Sequence, residues 1–488
     1  MLLSNIIKKL SYIKLINFKD VDILELSQDS REVFDSCLFF VVNGNTTDGA
    51  LYVNDAIKRG AIAVVCEKEL DVSVPQIIVS NIKVAISKVA YNFFKPNGER
   101  VKVIGVVGTN GKTTTSHILK SILESAGVKA GVIGTLGVKY NNVLVEPMLT
   151  TPDSIFFYEQ LKNMANDNVK YAIVEYSAHA ISQQRLGEIK FESLIFTNCT
   201  HDHLDYFKSF EEYKNTKISA FKAKNCRFAV INSDDNCGLE ILKTNNLKCF
   251  TYGLENPSDV FAIKIKNDKN GVSFIANVFD EIEEINYQSI GTFNVYNCLS
   301  AITCASILGV DIKSVKDGIK KIKKIPGRME FVENFKGADV FIDYAHTPDG
   351  LENVLKSLKK VTKNKLYLVF GCGGNRDKEK RATMGEIAGK LCDFTIITSD
   401  NPRFEEPYHI ISQIERGIRK SSLSYITIQN RKMAIGYALT KIGPGDTLLV
   451  AGKGDEDYQE IMGIKTRFSD REEIRDSISK IKFGGELI

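Results

Sequence analysis

Short apolar runs that each end in a polar turn recur along most of the chain, and they predict buried strands followed by loops. Between Val101 and about Lys324 these runs alternate with helical patterns, which is typical of a doubly wound parallel sheet. The N-terminal part has the same order on a smaller scale, because the strand pattern CLFFVV is followed by the helix pattern YVNDAIKRG and the strand pattern AIAVVCE. This order predicts a parallel pair of strands.

Two segments with turn chemistry, Lys95-Pro96-Asn97-Gly98 and Ile325-Pro326-Gly327-Arg328, predict boundaries between domains. We therefore expect an α/β protein with three domains, over residues 1–98, 99–325 and 326–488. The first is a small α/β domain, the second contains a doubly wound parallel sheet with a phosphate loop, and the third is a Rossmann-like α/β domain. In the third, four apolar runs (DVFID, LYLVF, DFTIIT and DTLLVA) each end in a polar turn.

The phosphate loop is predicted by VKVIGVVGTNGKTTTSH, which starts at Val101 and reads as a strand, a glycine-bounded turn and a helix start. Backbone N–H groups in such a turn point at an anion, while Lys112 reaches the outer phosphates and the Thr113 hydroxyl holds Mg²⁺. The common G-x-x-x-x-G-K-[ST] pattern has glycine where this chain has Val106, so Gly108 is the first glycine of a narrower loop.

The composition is that of an ordinary globular chain, with 43% apolar and 25% charged residues among 488. The formal net charge of +4 is small for this length and gives no indication of a nucleic-acid-binding surface. Ten cysteines without any C-x-x-C pattern indicate a reduced chain. Lysines interrupt the apolar N-terminus and no apolar run approaches about 18 residues, so we expect a cytoplasmic protein without a membrane span.

Three polar clusters follow strand patterns of the middle region. They are Thr150-Thr151-Pro152-Asp153, then the segment EYSAH from Glu175 with Gln183 and Arg185 beyond it, and then the segment CTHDHLD from Cys199. Ligands of such sheets collect beyond the carboxyl ends of strands, so these clusters predict a site. Glu175 stands where nucleotide-binding folds often place a carboxylate that holds Mg²⁺.

The histidine-rich segment His201-Asp202-His203-Leu204-Asp205 also suggests a different class of protein, a zinc-dependent hydrolase. Such a site needs three or four protein ligands. Tyr206 stands where that pattern would have another histidine, and no histidine occurs between His203 and His346. A single imidazole that assists Mg²⁺ is therefore the simpler interpretation.

The segments GTNGKTT, EYSAH, DHLDYF, DYAHTPDG, DNPR and GKGDEDYQ resemble those of the Mur ligases, over essentially the whole chain. The resemblance implies ATP-dependent amide formation in peptidoglycan biosynthesis, hence in cell wall biogenesis, cell shape and cell division. It implies that meso-2,6-diaminopimelate is joined to the D-glutamate γ-carboxylate of UDP-N-acetylmuramoyl-L-alanyl-D-glutamate through an acyl phosphate. The three domains would then bind the uridine nucleotide end, ATP and the incoming amino acid.

The resemblance also assigns residues to ATP and to metal. Those implied to bind ATP are Gly108, Thr109, Asn110, Gly111, Lys112, Thr113, Thr114, Asn294, Asn297 and His346, with Asp343 beside the last. Those implied to bind Mg²⁺, the expected cofactor, are Thr113, Glu175, His203 and Lys217, the last as N6-carboxylysine (a carbamate). Lys112, Glu175, His203 and Lys217 are the implied catalytic set. From sequence alone, Lys217 reads as an exposed lysine on a helix, and an asparagine such as Asn294 also suits a helix N-cap.

The remaining implied contacts are with the two organic substrates. The muramoyl dipeptide would be held by Ser30, Thr150, Thr151, Ser177, Gln183 and Arg185. The diaminopimelate pocket would contain Arg376, Asp400, Asn401, Pro402, Arg403, Gly452 and Glu456. Arg403, with Arg376 sharing the work, can clamp the distal carboxylate that lysine lacks, while Glu456 and Asp400 would face the distal ammonium.

Several alternatives remain open from the sequence. L-lysine or lanthionine could replace diaminopimelate in the same reaction. A folylpolyglutamate synthetase shares the phosphate loop, although it would make little use of the N-terminal domain or of DNPR. A non-catalytic ATP-binding regulator would show no phosphate release that depends on an amino acid. We expect a monomer whose partners are its three substrates, with no nucleic acid.

Overall fold

The structure is a computed structural model that describes residues 1–44, 48–94, 100–146, 149–222, 224–244 and 246–483. The predicted boundary segment 95–98 lies outside the described residues. The chain forms two compact units, which are described separately below. The first comprises Met1–Gly105, Val128–Leu194 and Lys222–Arg227, and the second comprises Val106–Gly127, Ile195–Phe221 and Phe228–Ile488.

In its described residues, the N-terminal region contains three α-helices and five strands. They are α1 (Leu3–Ile6), β1 (Lys14–Ile16), β2 (Glu25–Ser27), β3 (Cys37–Phe40), α2 (Val53–Arg59), β4 (Ala61–Cys66), β5 (Gln76–Ile78) and α3 (Ile82–Phe94). The strand order is β1-β5-β4-β3-β2, and β3 pairs with β4 in parallel as predicted. Every residue of β3 is buried, so the apolar run CLFF forms the centre of this small core.

The middle region alternates strands and helices, as its hydrophobic pattern predicts. Its elements are β6 (Lys102–Val107), α4 (Lys112–Ser125), β7 (Ala130–Gly134), β8 (Gly137–Tyr140), β9 (Val143–Val145), α5 (Ser154–Asn166), β10 (Tyr171–Glu175), α6 (Ala178–Ser182), β11 (Phe191–Phe196), α7 (Phe210–Ala220), β12 (Cys226–Asn232), α8 (Asn236–Thr244), β13 (Cys249–Gly253), β14 (Val260–Asp268), β15 (Gly271–Val278), β16 (Glu281–Tyr287), α9 (Thr292–Ile307) and α10 (Ile312–Lys321).

Strand directions in the middle region follow the length of the connections. In the first unit the strand order is β6-β10-β7-β8-β9, and β10 pairs with β7 in parallel across a helical crossover. In the second unit the order is β16-β15-β14-β13-β12-β11, with β12, β13 and β14 parallel. The pairs β7–β8, β8–β9, β14–β15 and β15–β16 are antiparallel, because their two-residue connections are too short for a parallel crossover. These hairpins add to the parallel strands that the sequence predicts.

The C-terminal region is a sheet with helices on both faces. Its elements are β17 (Glu330–Phe335), β18 (Ala338–Asp343), α11 (Pro348–Val361), β19 (Leu366–Phe370), α12 (Glu379–Leu391), β20 (Phe394–Ile397), α13 (Pro407–Ile418), β21 (Tyr425–Thr427), α14 (Arg431–Lys441), β22 (Thr447–Ala451), β23 (Tyr458–Ile461), β24 (Ile464–Arg467) and α15 (Asp470–Lys482). The order is β17-β18-β22-β19-β20-β21, and only β17 is antiparallel to its neighbour.

Alternate residues of the C-terminal strands enter two separate cores. Leu368 of β19 packs in the core that contains α11, α12 and α13, whereas Val369 packs in the core that contains α14 and α15. This alternation gives the Rossmann-like layering that the sequence predicts. The carboxyl ends of the parallel strands β18, β19, β20 and β22 therefore lie at one edge, where their polar turns meet.

The apolar N-terminus forms no long helix. Helix α1 has four residues, of which Leu3 and Ile6 are buried. Across the described ranges, no helix combines the length and apolar character needed to cross a membrane.

Candidate functional site

The glycine-bounded loop connects β6 to α4, so the predicted strand, turn and helix start are all observed. Val106 is buried within β6, which explains why the loop begins only at Gly108. A Cβ atom on Gly108 would overlap with the Thr197 side chain, and this close approach requires glycine. The N–H groups of Thr109 and Asn110 donate to Asn198 at 2.9 Å each, so the segment after β11 fixes the shape of the loop.

Lys112 and Thr113 begin helix α4, directly after Gly111. The Lys112 ammonium donates to the carbonyl oxygens of Gly108 and Thr109 at 2.9 Å. The Thr113 hydroxyl accepts a hydrogen bond from Arg328 at 3.1 Å, and Thr114 is buried beside it. The lysine and the hydroxyl that a triphosphate would need therefore lie at the mouth of the same loop.

Lys217 is buried, contrary to the exposed position that its sequence alone indicates. Its side chain is 1% exposed, and Nζ lies 2.6 Å from the Thr109 hydroxyl and 4.0 Å from the ring centre of Tyr213. Burial lowers the pKa of Lys217 to about 7, and the nearby Lys112 charge acts in the same direction. A large fraction of the amine is thus neutral at neutral pH. This is the form that reacts with CO₂.

Asp202 is the buried centre of the histidine-rich segment. Its carboxylate lies 3.3 Å from Lys380 and 3.5 to 3.6 Å from the imidazoles of His203 and His346. Burial alone would raise the pKa of Asp202, but the hydrogen bond from His346 and the Lys380 charge hold it well below 3.8. The sequence flagged this segment without identifying Asp202 or Lys380 as members of the site.

The histidine-rich segment does not form the ligand set of a zinc hydrolase. His201 stacks on Phe210 with ring centres 4.2 Å apart, while Asp205 lies 3.5 Å from Arg376. In the described part of the chain, no group of three or more histidine, cysteine, aspartate or glutamate side chains could hold a metal ion. A three- or four-coordinate zinc site needs such a group.

Asn294 and Asn297 lie inside helix α9, whose N-cap is Gly291, so the N-cap interpretation of Asn294 is wrong. The Asn294 amide donates to the Ile290 carbonyl at 2.9 Å, and the Asn297 amide donates to Asn294 at 3.1 Å. The Asn297 side-chain oxygen approaches Gly111 so closely that a Cβ atom there would overlap with it. Both asparagines are therefore held next to the phosphate loop.

In the first unit, the structure groups five of the six residues predicted to hold the muramoyl dipeptide. Thr151 donates to the Glu175 carbonyl at 2.6 Å and accepts the Ser177 N–H at 3.0 Å. Arg185 donates to Gln183 at 2.8 Å and also to the Thr151 carbonyl. The hydroxyl of Thr150 is reached by Thr135 at 3.3 Å. Ser30 is outside this group, in a short 3-10 turn that Asp29 caps.

Glu175 is the last residue of β10 and is 1% exposed. Its two carboxylate oxygens accept the Thr135 N–H at 2.9 Å and the Thr135 hydroxyl at 3.1 Å. Sequence reasoning did not identify Thr135, which follows β7 and has no distinguishing motif. The Glu175 carboxylate is consequently fixed in orientation at the end of its strand.

The residues predicted to form the amino-acid pocket follow three strands of the C-terminal domain, β19, β20 and β22. Asp400, Asn401 and Pro402 follow β20, and Gly452 follows β22, where its N–H donates to Asp343 at 3.1 Å. Glu456 accepts hydrogen bonds from Asn401 at 2.8 Å and from Lys453 at 3.0 Å. Lys453 is fully buried, and the sequence signal that could have identified it is its place in GKGDE.

Arg403 has an unusual backbone, with φ of 52°. Its N–H donates to the Glu460 carbonyl at 3.0 Å, and its own carbonyl accepts the Met462 N–H at 2.7 Å, so the β23–β24 hairpin holds it there. The Arg403 guanidinium donates to the Gly374 carbonyl at 3.0 Å. Atoms of both Arg403 and Arg376 lie within 4 Å of where a Cβ of Gly373 would be. The two predicted clamp residues are therefore close together.

Three family models match successive parts of the chain. The Mur ligase family catalytic domain matches residues 22–114, the Mur ligase middle domain matches 106–305, and the Mur ligase glutamate ligase domain matches 327–454. The α/β class with three domains is thereby confirmed.

Proteins of known name and structure match over nearly the whole chain. Relatives from Caldanaerobacter subterraneus subsp. tengcongensis and Clostridium tetani are each 40% identical, over 94% and 99% of this chain and 96% and 100% of their own. Both are named UDP-N-acetylmuramoyl-L-alanyl-D-glutamate–2,6-diaminopimelate ligase. A solved structure of an enzyme with this name is 31% identical, with a TM-score of 0.67 over 94% of this chain and 95% of that one.

The fold extends to a more distant enzyme that the sequence left open as an alternative. Folylpolyglutamate synthase of Mycobacterium tuberculosis shares it at 15% identity, with a TM-score of 0.64 over 83% of this chain and 96% of its own. At that identity the likeness shows the fold alone. With three matching domain models and close full-length relatives, the chain belongs to the Mur ligase family.

Proposed function

We propose that the chain is an ATP-dependent ligase that joins meso-2,6-diaminopimelate to the γ-carboxylate of D-glutamate in UDP-N-acetylmuramoyl-L-alanyl-D-glutamate. The names of the full-length relatives support this substrate pair. ATP would be converted to ADP and phosphate, and the product would serve peptidoglycan synthesis.

The observation that carries the choice of amino acid is the arrangement of charged residues after three neighbouring strands. Arg376 follows β19, Asp400 and Arg403 follow β20, and Glu456 follows β22. A guanidinium can bind the distal carboxylate of diaminopimelate through two parallel hydrogen bonds. L-lysine has no carboxylate there, and its ammonium would face the guanidinium instead. A buried charge left unpaired in this way gives strong discrimination between substrates. Lanthionine, like diaminopimelate, carries an ammonium and a carboxylate at each end, so the phosphate-release assay described below is needed to distinguish the two.

The reaction begins with transfer of the γ-phosphoryl group of ATP to the D-glutamate carboxylate, giving an acyl phosphate and ADP. Backbone N–H groups of the phosphate loop and the Lys112 ammonium would stabilise the charge that develops on the phosphoryl oxygens. The diaminopimelate amine then attacks the acyl carbon, a tetrahedral intermediate forms, and phosphate leaves as the amide bond is made. Asn294, Asn297 and His346 would contact the nucleotide, and the chain's main contribution is to hold the reactants in position.

We propose that Mg²⁺ assists this chemistry and that Thr113, His203 and a carbamate on Lys217 hold it. The fit rests on the donor types, because a hydroxyl and carbamate oxygens are ligands that Mg²⁺ prefers, and the Lys217 amine can become neutral. When bound, the ion neutralises charge on the phosphates and on the acceptor carboxylate. The role of Glu175 in metal binding is a separate proposal, tested by Glu175→Gln.

We propose a cytoplasmic location and a monomer. The ten cysteines, all within the described residues, form no disulfide bonds, and a reducing compartment favours that state.

The test is phosphate release by the full chain with ATP, Mg²⁺ and the uridine-linked muramoyl dipeptide, with the amino acid varied. We expect release with meso-diaminopimelate and little with L-lysine; the lanthionine arm measures how far the clamp discriminates between diacids. Equal release with lysine would contradict the proposed substrate. ATP binding without any release that depends on an amino acid would indicate a regulator instead.

A further inference from the structure

Two loops carry the two clamp arginines, and they are hydrogen-bonded to each other along their length. Here the Arg376 loop denotes residues 371–377 and the Arg403 loop denotes residues 400–406. The Gly374 N–H donates to the Asn401 carbonyl at 2.9 Å, and the Phe404 N–H donates to the Asn375 side chain at 3.0 Å. A Cβ on Gly374 would overlap with the Pro402 carbonyl, so the two backbones are in direct contact.

One ion pair underlies both loops. Arg381, in the first turns of α12, is fully buried and donates two parallel hydrogen bonds of 2.9 Å to the carboxylate of Glu405. Its remaining contacts are the Gly373 carbonyl at 3.1 Å and Gln413 at 2.8 Å. The same Glu405 carboxylate accepts the Asn375 N–H at 2.6 Å. Arg381 and Glu405 therefore bind the Arg376 loop from two sides and join it to the Arg403 loop.

We propose that Arg381 and Glu405 are positioning residues that set the separation of Arg376 and Arg403 and thereby the preference for a diacid amino acid. This inference rests on the proposed function, because it assigns the substrate carboxylate to those two arginines. Neither Arg381 nor Glu405 contacts the carboxylate itself in this assignment. They act by fixing the two backbones from which the clamp side chains extend.

The geometry favours positioning over simple stabilisation of the domain. The pair is bidentate, which fixes orientation as well as distance. Besides each other, Arg381 and Glu405 bind two backbone groups of the Arg376 loop, the Gly373 carbonyl and the Asn375 N–H, and Arg381 also binds the Gln413 side chain of α13. A displacement of about 1 Å in a clamp residue can change a rate by about a hundredfold. Loss of the pair should consequently affect the amino acid far more than the other substrates.

The experiment measures KM for diaminopimelate, ATP and the muramoyl dipeptide in Glu405→Gln, Arg381→Lys and the double variant, using the full chain. We expect KM for diaminopimelate to rise about tenfold or more in each single variant, with KM for ATP and kcat at saturation changed less than about twofold. Selectivity for diaminopimelate over L-lysine should fall by the same factor. The double variant should have the same KM for diaminopimelate as the single variants, because each single substitution already removes the Arg381–Glu405 ion pair.

The matched control is Glu386→Gln, which removes the half-exposed pair with Lys390 on the same helix and should leave all three KM values unchanged. Melting temperatures show whether a variant folds. If Glu405→Gln does not fold, Glu405→Asp replaces it; this variant keeps the charge, and its KM for diaminopimelate should rise less than that of Arg381→Lys.

Two results would overturn the inference: an unchanged KM for diaminopimelate in folded variants, or an equal rise in all three KM values. Failure of the proposed function would look different, because the unaltered chain would then prefer another amino acid over diaminopimelate. The KM values of the variants would in that case be compared with that amino acid as substrate.

Discussion

The side-chain nitrogen of Lys217 lies 2.6 Å from the hydroxyl oxygen of Thr109, the second residue of the phosphate loop. The amine is enclosed by protein, and its other close neighbour is the ring of Tyr213. A charged ammonium in such a place lacks water, so the neutral form is favoured. The lysine that the family resemblance singles out thus has the chemical state that carbamate formation needs.

We predict that Lys217→Ala loses most of its activity and that added carboxylate anions such as acetate restore part of it. The side chain removed leaves space next to the phosphate loop, where a small anion can supply the oxygens that the carbamate would provide. Phosphate release in the presence and absence of acetate measures this.

The matched control is Lys214→Ala on the same helix, whose ammonium pairs with Glu211 and Glu240. It should keep normal activity without any response to acetate. Complete loss in Lys217→Ala with no recovery at any anion concentration would count against the carbamate.

The stability of the protein should rise with pH between about 7 and 10.5 through Lys217. In that interval the unfolded chain binds a proton on this amine that the folded chain does not bind, so folding is increasingly favoured as pH increases. Below about pH 7 both states are protonated, and the folded state bears the full cost of the buried charge.

This difference is measured by urea unfolding in CO₂-free buffer at pH 6.5 and pH 9.5, comparing the unaltered chain with Lys217→Met. The variant should lack the additional increase with pH. Identical pH dependence in the two proteins would mean that the amine titrates normally in the folded state.

We predict that Lys112→Ala reduces turnover by at least about a hundredfold, since the ammonium is placed to stabilise charge on the transferred phosphoryl group. Lys120→Ala on the same helix serves as the control, because its ammonium pairs with Glu124 one turn further on. Phosphate release under saturating substrates measures both. Normal release by Lys112→Ala would refute the assigned role.

We predict that Arg403→Ala lowers kcat/KM for diaminopimelate by about tenfold to hundredfold, the effect of removing hydrogen bonds to a charged group. The value for ATP should change much less, because Arg403 is proposed to contact the amino acid alone. Arg416→Ala, which removes an exposed charge of α13, is the control. A loss of equal size for both substrates would argue against the carboxylate clamp.

Much of the fold could be predicted, because the spacing of apolar residues indicates strands and helices and the length of the connections limits how they pair. The strand, turn and helix around Gly108 are adjacent in sequence. Glu175 ends its own strand, and Asp400 follows shortly after its own strand, so both positions can be inferred from local apolar runs. The antiparallel hairpins β14–β15–β16 were missed, since their exposed faces weaken the apolar pattern: every second residue of β16 faces outward while β14 contains a bulge near Lys264. Pairing direction depends on turns of two residues, which the coarse alternation of strands and helices does not resolve.

Site residues that belong to a sequence motif could be predicted. Site residues whose protonation depends on burial were harder to predict. Nothing in the sequence around Lys217 distinguishes it from an exposed lysine, because its environment comes from Thr109, over a hundred positions away. The environment of Asp202 likewise comes from distant segments, since His346 and Lys380, which lie close to its carboxylate, belong to the C-terminal domain. Contacts between distant segments set these pKa values, and no local pattern records them.

The enclosure of Lys217 also decides which reagents can modify it. Nucleophilicity alone would make this amine react readily near neutral pH with any lysine-directed electrophile. The side chain is only 1% exposed, however, so we expect small reagents such as CO₂ and isocyanic acid to reach it far more readily than an aromatic aldehyde or an activated ester. Cyanate should therefore label this position irreversibly, turning a reversible modification into a permanent one.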